Sequence, residues 1–222
     1  MLGADDDGSP AMTAQSRAAH DGTAEAYDAA ASATGWYPEA LVGLILDRLR
    51  PGQRVLAVGI GTGLCAVPLA AQGLRVWGVD ESPGMLAVCR AKGVAERLVE
   101  HDLARRPWPF DDGAVVHVVA AGVAHLVPDL GDLVAECARV MSPDGCLALT
   151  TRLPAPATGG DGPDVEEVLV GDVLVRAHAP RLLAAALADA GLVATKRMDV
   201  LLGPDGAQDA YRMTVAVRAA LR

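Results

Sequence analysis

Between Arg54 and Thr151 short runs of β-branched and apolar residues alternate with helical patterns of about ten residues. Arg54–Gly59, Arg75–Val79, Arg97–His101, Ala114–Ala121 and Cys146–Thr151 read as strands. Leu64–Gln72, Pro83–Lys92 and Asp129–Val140 read as helices between them. Strands joined through helices cannot pair as hairpins; they run parallel, each crossing a face of the sheet. Their near-continuous apolar runs need cover on both faces, which the helices supply. This alternation excludes a helical bundle and an all-β sandwich, and predicts an α/β fold with helices on both faces.

The flanks extend that core. Pro38 suits the first position of a helix carrying Leu41, Leu44, Ile45, Leu46 and Leu49, ended by Pro51-Gly52. Met12–Ser32, Ala-rich and interrupted near Gly22, suits another helix. Arg152–Asp164, dense in Pro and Gly, is the clear break in composition. Beyond it, Val165–Val170 and Val173–Ala177 flank Gly171-Asp172 as a hairpin, and Pro180–Ala190 forms a helix. Leu192–Leu202 and Tyr211–Val217 close the chain as an antiparallel pair across Gly203-Pro204-Asp205-Gly206. The expected organisation is a disordered tail over 1–11 and a single domain over 12–222. Within it, a helical lid spans 12–50 and an insert about 152–178.

Composition narrows the partners. The 222 residues carry a formal charge of −9, with 19 Lys and Arg against 28 Asp and Glu. That balance argues against nucleic acid or an anionic membrane as partner. With three Trp, three Tyr and one Phe, few rings are available for stacking bases. No apolar run approaches the roughly 20 residues of a membrane span, and the acidic Asp5–Asp7 opposes a signal peptide. Cys65, Cys89, Cys137 and Cys146 form no C-x-x-C pair, so neither zinc nor a redox dithiol is expected. A reduced, cytoplasmic protein follows as the default, positive or neutral small ligands remain compatible with the charge, and a monomer or homodimer is expected.

Gly59-Ile60-Gly61-Thr62-Gly63 follows the first strand and opens a helix, where glycines let a ligand approach the backbone. Leu64 after Gly63 departs from the G-x-G-x-x-G dinucleotide spacing and disfavours a nicotinamide oxidoreductase. Asp80 ends the second strand, where a carboxylate can accept ribose hydroxyls, and Asp102 repeats that position on the third. The plain alternative is that both carboxylates cap the elements that follow.

These residues together carry a resemblance. Val55–Gly63, Gly78–Leu86, His101–Leu103, Pro107–Gly113 and Ala138–Gly145 resemble, in order and spacing, the class I S-adenosylmethionine-dependent methyltransferases of the bacterial small-molecule kind. The resemblance implies a Rossmann-like, seven-stranded, mostly parallel sheet whose last strand is antiparallel. It implies S-adenosylmethionine as cofactor. Gly59, Ile60 and Gly61 would lie beside its methionyl part, Asp80 and Glu81 at the ribose, and Asp102 at the adenine amine. Met85 and Leu103 would pack on the adenine, with Tyr27 and Ala121 completing the site. Tyr27-Asp28 matches a pair that folds over the cofactor in many relatives. Two departures stand out: Ala57 replaces the usual Asp or Glu, and Val115-Val116 the usual Phe-Asp. They leave open a methyltransferase fold repurposed as a cyclase, an isomerase or a binding protein.

Methyl transfer from a sulfonium needs alignment more than a universal catalytic residue, with a base only for a protonated acceptor. His125, after the fourth strand, is the candidate catalytic residue, as base or as acceptor-orienting group; a histidine that only bonds loop backbone is the alternative. His117 reads as a core histidine, and His178 with Glu166-Glu167 as solvated residues of the insert. Trp36 and Tyr37 read as an aromatic lid or a hydrophobic staple. The expected activity is methyl transfer to a small molecule, with a secondary metabolite as the guess.

Overall fold

Strand β1 (Arg54–Val58) is buried at every residue after Arg54, because it lies at the centre of a sheet covered on both faces. A computed structural model describes residues 21–155, 162–170, 173–203 and 209–220. β1 pairs in parallel with β2 (Arg75–Asp80) on one side and β4 (His117–Ala120) on the other. β3 (Arg97–Glu100) lies outside β2, and β5 (Cys146–Arg152) beyond β4. The sheet has seven strands in the order β3-β2-β1-β4-β5-β9-β8. β9 (Asp209–Arg218) runs antiparallel between β5 and β8 (Leu192–Leu202). The chain therefore winds outward from β1 to β3, then returns to β4 on the other side. That reversal opens a crevice at the carboxyl ends of β1 and β4.

Side-chain alternation along the strands divides the interior into two layers. Leu56, Val58, Val118 and Leu147 point to one face, packed with Leu133, Val134 and Cys137 of α5 (Leu130–Val140) and Leu183 of α6 (Pro180–Asp189). Val55, Ala57, Val119 and Ala148 point to the other. There they meet Leu41 of α2 (Pro38–Gly43), Leu69 of α3 (Ala66–Ala71) and Leu86 of α4 (Pro83–Lys92). The starts of α4 and α5 are set by capping: Ser82 accepts from the Met85 N–H at 3.1 Å, and Asp129 from that of Asp132 at 2.9 Å.

The differences from expectation have local causes. Regular helix stops at Gly43, and the chain continues in tighter i→i+3 turns, Ile45 to Val42 at 3.0 Å and Arg48 to Ile45 at 2.9 Å. Ile45 and Leu49 still reach the core. The fourth strand shortens because Val115 makes only an isolated bridge, to Met141. Residues 21–23 are helical, and after a turn at 24–26 helix α1 (Tyr27–Ala33) follows; residues 1–20 lie outside the described residues, as does the Gly171-Asp172 turn. β6 (Val165–Val170) and β7 (Val173–His178) form the expected hairpin as a separate two-stranded sheet. The Arg176 N–H of β7 donates to the His125 carbonyl at 2.8 Å, tying the hairpin to the loop after β4.

Candidate active site

The turn after β1 reaches into the crevice because Gly59 and Gly61 adopt φ of 61° and 54°, values that side chains disfavour. Gly59 has a second constraint: a Cβ there would come within 2.5 Å of Val123. Asp80, at the end of β2, holds this turn. Its Oδ2 accepts from the Gly61 N–H at 2.8 Å and its Oδ1 from that of Ser82 at 2.9 Å. A carboxylate offers about four acceptor sites, so one aspartate can serve both a turn and ligand hydroxyls.

A cleft runs along this turn. Gly59, Ile60, Gly61, Asp80, Glu81 and Met85 line it, and so do Tyr27, Leu103 and Ala121. Asp102 is the one expected cofactor residue absent from that lining. Its carboxylate accepts from the Ala104 N–H at 2.9 Å and lies 3.6 Å from Arg105, capping the turn that follows. Its neighbour Leu103 does line the cleft. Ala57 also lines the cleft, so the missing acid there removes a charge from the cleft itself. Val116 precedes β4 and does not line the cleft, so the second departure leaves the cleft untouched.

Helix α1 closes one side. Asp28 accepts from Thr62 Oγ1 on the glycine turn and pairs with Lys92 Nζ at the end of α4, each at 2.5 Å. Burial opposes ionisation of Asp28, yet the bonds from Lys92 and Thr62 prevail and hold its carboxyl below the usual range. Asp21 similarly accepts from Ser82 Oγ and from the Gly84 N–H. This latch presents Tyr27 to the cleft. Burial, with Asp80 and Asp28 nearby, raises the Tyr27 phenol above its ordinary value, so it keeps its proton.

Beyond Tyr27 the cleft adjoins a chamber of about 510 Å³. Tyr27, Trp36, Gly122 and Leu126 line both spaces. His125 lies on the chamber side, edge-on to Tyr211 with ring centroids 6.0 Å apart. Val170, Val173 and Val175 of the hairpin form part of the wall. Trp36 serves as the aromatic wall, whereas Tyr37 is 60% exposed and lines neither space. Arg152, Asp209 and Tyr211 also line the chamber, and sequence reasoning gave them no role. They meet through long-range pairing of β5 with β9, where Arg152 sits opposite Tyr211.

His117 is buried as expected, accepting from the Cys146 N–H at 3.2 Å. His178 corrects expectation: it is 2% exposed at the end of β7. Glu167 is exposed and paired with Arg176 at 2.9 Å. All four cysteines are free and buried, and burial pushes the Cys65 thiol up to about 12, so none is an activated nucleophile. Among the described residues no cluster suits a metal ion, and no helix is long and apolar enough to cross a membrane.

Residues 56–149 match a protein family described as "Methyltransferase domain". The chain is 34% identical over 108 residues to the ubiquinone biosynthesis O-methyltransferase of Xylella fastidiosa, covering 45% of this chain and 42% of that protein. Against the malonyl-[acyl-carrier protein] O-methyltransferase of Serratia marcescens it is 33% identical over 128 residues, covering 58% and 49%. It thus spans less than half the length of these curated relatives. In three dimensions it resembles 1,6-didemethyltoxoflavin-N1-methyltransferase of Burkholderia thailandensis, solved with 1,6-didemethyltoxoflavin and S-adenosylhomocysteine bound. The TM-score is 0.70 at 19% identity, over 99% of this chain and 92% of that one.

Proposed function

We propose that the chain, whose residues 56–149 match a methyltransferase domain, is a class I S-adenosylmethionine-dependent methyltransferase that methylates a small-molecule acceptor. One observation carries this reading: the cleft at the glycine turn adjoins a second chamber, and Tyr27, Trp36, Gly122 and Leu126 line both. Two joined compartments suit a cofactor in one and an acceptor in the other, with the reacting atoms meeting at the junction. S-adenosylmethionine supplies an electrophilic methyl, so the protein's task is alignment and exclusion of water.

In this reading the Gly59–Gly61 backbone lies against the cofactor, and Asp80 accepts its ribose hydroxyls. Glu81, 8% exposed, is the other carboxylate of the cleft, which lacks one at Ala57. Asp102 caps the turn through the Ala104 N–H and is retained as the acceptor for the adenine amine, because one backbone bond does not saturate a carboxylate. His125, on the chamber side of the junction, orients the acceptor or takes its proton. The acceptor is a small biosynthetic metabolite, in keeping with the net charge of −9 and a chamber of about 510 Å³. Four free, buried cysteines are consistent with a reducing cytoplasm.

Isothermal titration with S-adenosylmethionine tests the cofactor assignment; absence of binding at millimolar cofactor overturns it. Product mass tests the reaction, because methyl transfer adds about 14 Da and isomerisation or cyclisation adds nothing. His125→Ala is expected to lower turnover about 100-fold while leaving cofactor affinity unchanged. Full activity in that variant would make His125 structural.

A further inference from the structure

Arg152 ends β5 at the wall of the chamber and is 9% exposed. Its Nη2 pairs with Asp209 Oδ1 at 2.6 Å. Its Nη1 is buried and has no hydrogen-bond partner among the described residues. Guanidinium stays charged at any physiological pH, so this arrangement leaves a buried cation half satisfied. Asp209 answers it weakly, because the Asp209 side chain is 47% exposed and therefore screened by water. Arg152 is also the one Lys or Arg lining the chamber among the described residues. Much of the remaining wall is apolar, formed by Leu126, Val170, Val173, Val175 and Leu202.

An apolar room with one under-paired guanidinium in its wall is complementary to an apolar body bearing one anion. Carboxylate is the anion whose planar oxygens match a guanidinium best, through charge-assisted hydrogen bonds. We propose that the chamber binds a ring-sized apolar carboxylic acid, with Arg152 holding the carboxylate and Asp209 moderating its charge. Naming that molecule the methyl acceptor rests on the methyltransferase reading of the adjoining cleft. The volume of about 510 Å³ admits a bicyclic skeleton with room to approach the junction. His125 and Tyr211, packed edge to face with ring centroids 6.0 Å apart, line the same chamber.

The test uses the full chain and a matched pair of probes, 2-naphthoate and 2-naphthamide, titrated by fluorescence with and without S-adenosylhomocysteine. Wild-type protein is expected to bind the acid at least about tenfold more tightly than the amide, the ratio of a charged to a neutral hydrogen bond. Arg152→Met removes that preference. Asp209→Asn acts in the opposite direction, tightening the acid and leaving the amide unchanged, which a merely structural role for the pair does not explain. If Arg152→Met fails to fold by thermal melting, the Asp209→Asn shift decides alone. Equal affinities in wild type, no acid binding at millimolar concentration, or a preference that survives Arg152→Met overturns the proposal. Failure of S-adenosylhomocysteine to bind, with the acid preference intact, sinks the methyltransferase reading and leaves the anion site standing.

Discussion

Asp80 does two things with one carboxylate. Its oxygens accept the Gly61 and Ser82 N–H groups, so it shapes the glycine turn before any ligand arrives. Asp80→Asn keeps the volume but leaves one acceptor oxygen, so one of those N–H groups must face an NH₂ donor. We expect cofactor affinity to fall tenfold or more, from a lost charged hydrogen bond and a loosened turn. Calorimetry reads this directly, and an unchanged dissociation constant would remove Asp80 from the ribose. Asp80 was legible in the sequence because its place at a strand end, after a glycine turn, follows from local pattern. Arg152 was not. Nothing near it in sequence marks it, and it gains meaning only opposite Tyr211 on a strand paired from far along the chain.

The segment between β3 and β4 shows the same limit at the scale of elements. It contains no regular helix, and α5 holds it in place. Glu136, buried on α5, accepts from the Trp108 N–H at 2.7 Å. Arg139, one turn on, donates to Glu136, to Asp112 and to the carbonyls of Trp108 and Phe110. Burial alone would raise the Glu136 carboxyl, yet Arg139 and the Trp108 N–H outweigh it and hold it below the usual range. Removing Arg139 leaves that carboxylate buried with a single backbone donor. Arg139→Met is therefore expected to cost about 3 kcal/mol, measured by urea denaturation. A cost below 1 kcal/mol would mean that water replaces the guanidinium. Element types were legible here because strands and helices announce themselves by period. The anchoring of a loop by a distant ion pair has no period and was not.

Across the whole molecule, burial places two histidines, His117 in β4 of the central sheet and His178 at the end of the β6–β7 hairpin, where water cannot solvate a charge. Burial lowers His117 and His178 to about 4, with Arg48 adding to the effect at His117 and Arg176 at His178. Both are neutral in the folded protein at pH 6, whereas an unfolded chain begins to protonate them near 6.5. The unfolded state then binds more protons, so stability must fall as pH drops from about 6.5 towards 4. By pH 5 each histidine has withdrawn about 2 kcal/mol relative to pH 7. Carboxylates held low by partners, Asp28 and Glu136 among them, act in a separate window. Their contribution is present above about 4 and is lost as pH falls further. Losses between pH 6.5 and 5 therefore report the buried histidines. His117→Asn keeps an acceptor near the Cys146 N–H but cannot titrate. Urea denaturation at pH 7.5 and pH 5 should show a loss smaller by about 2 kcal/mol in that variant than in wild type. An identical pH dependence in the two proteins would mean that His117 is already protonated within the fold, and that the sheet face around it admits water.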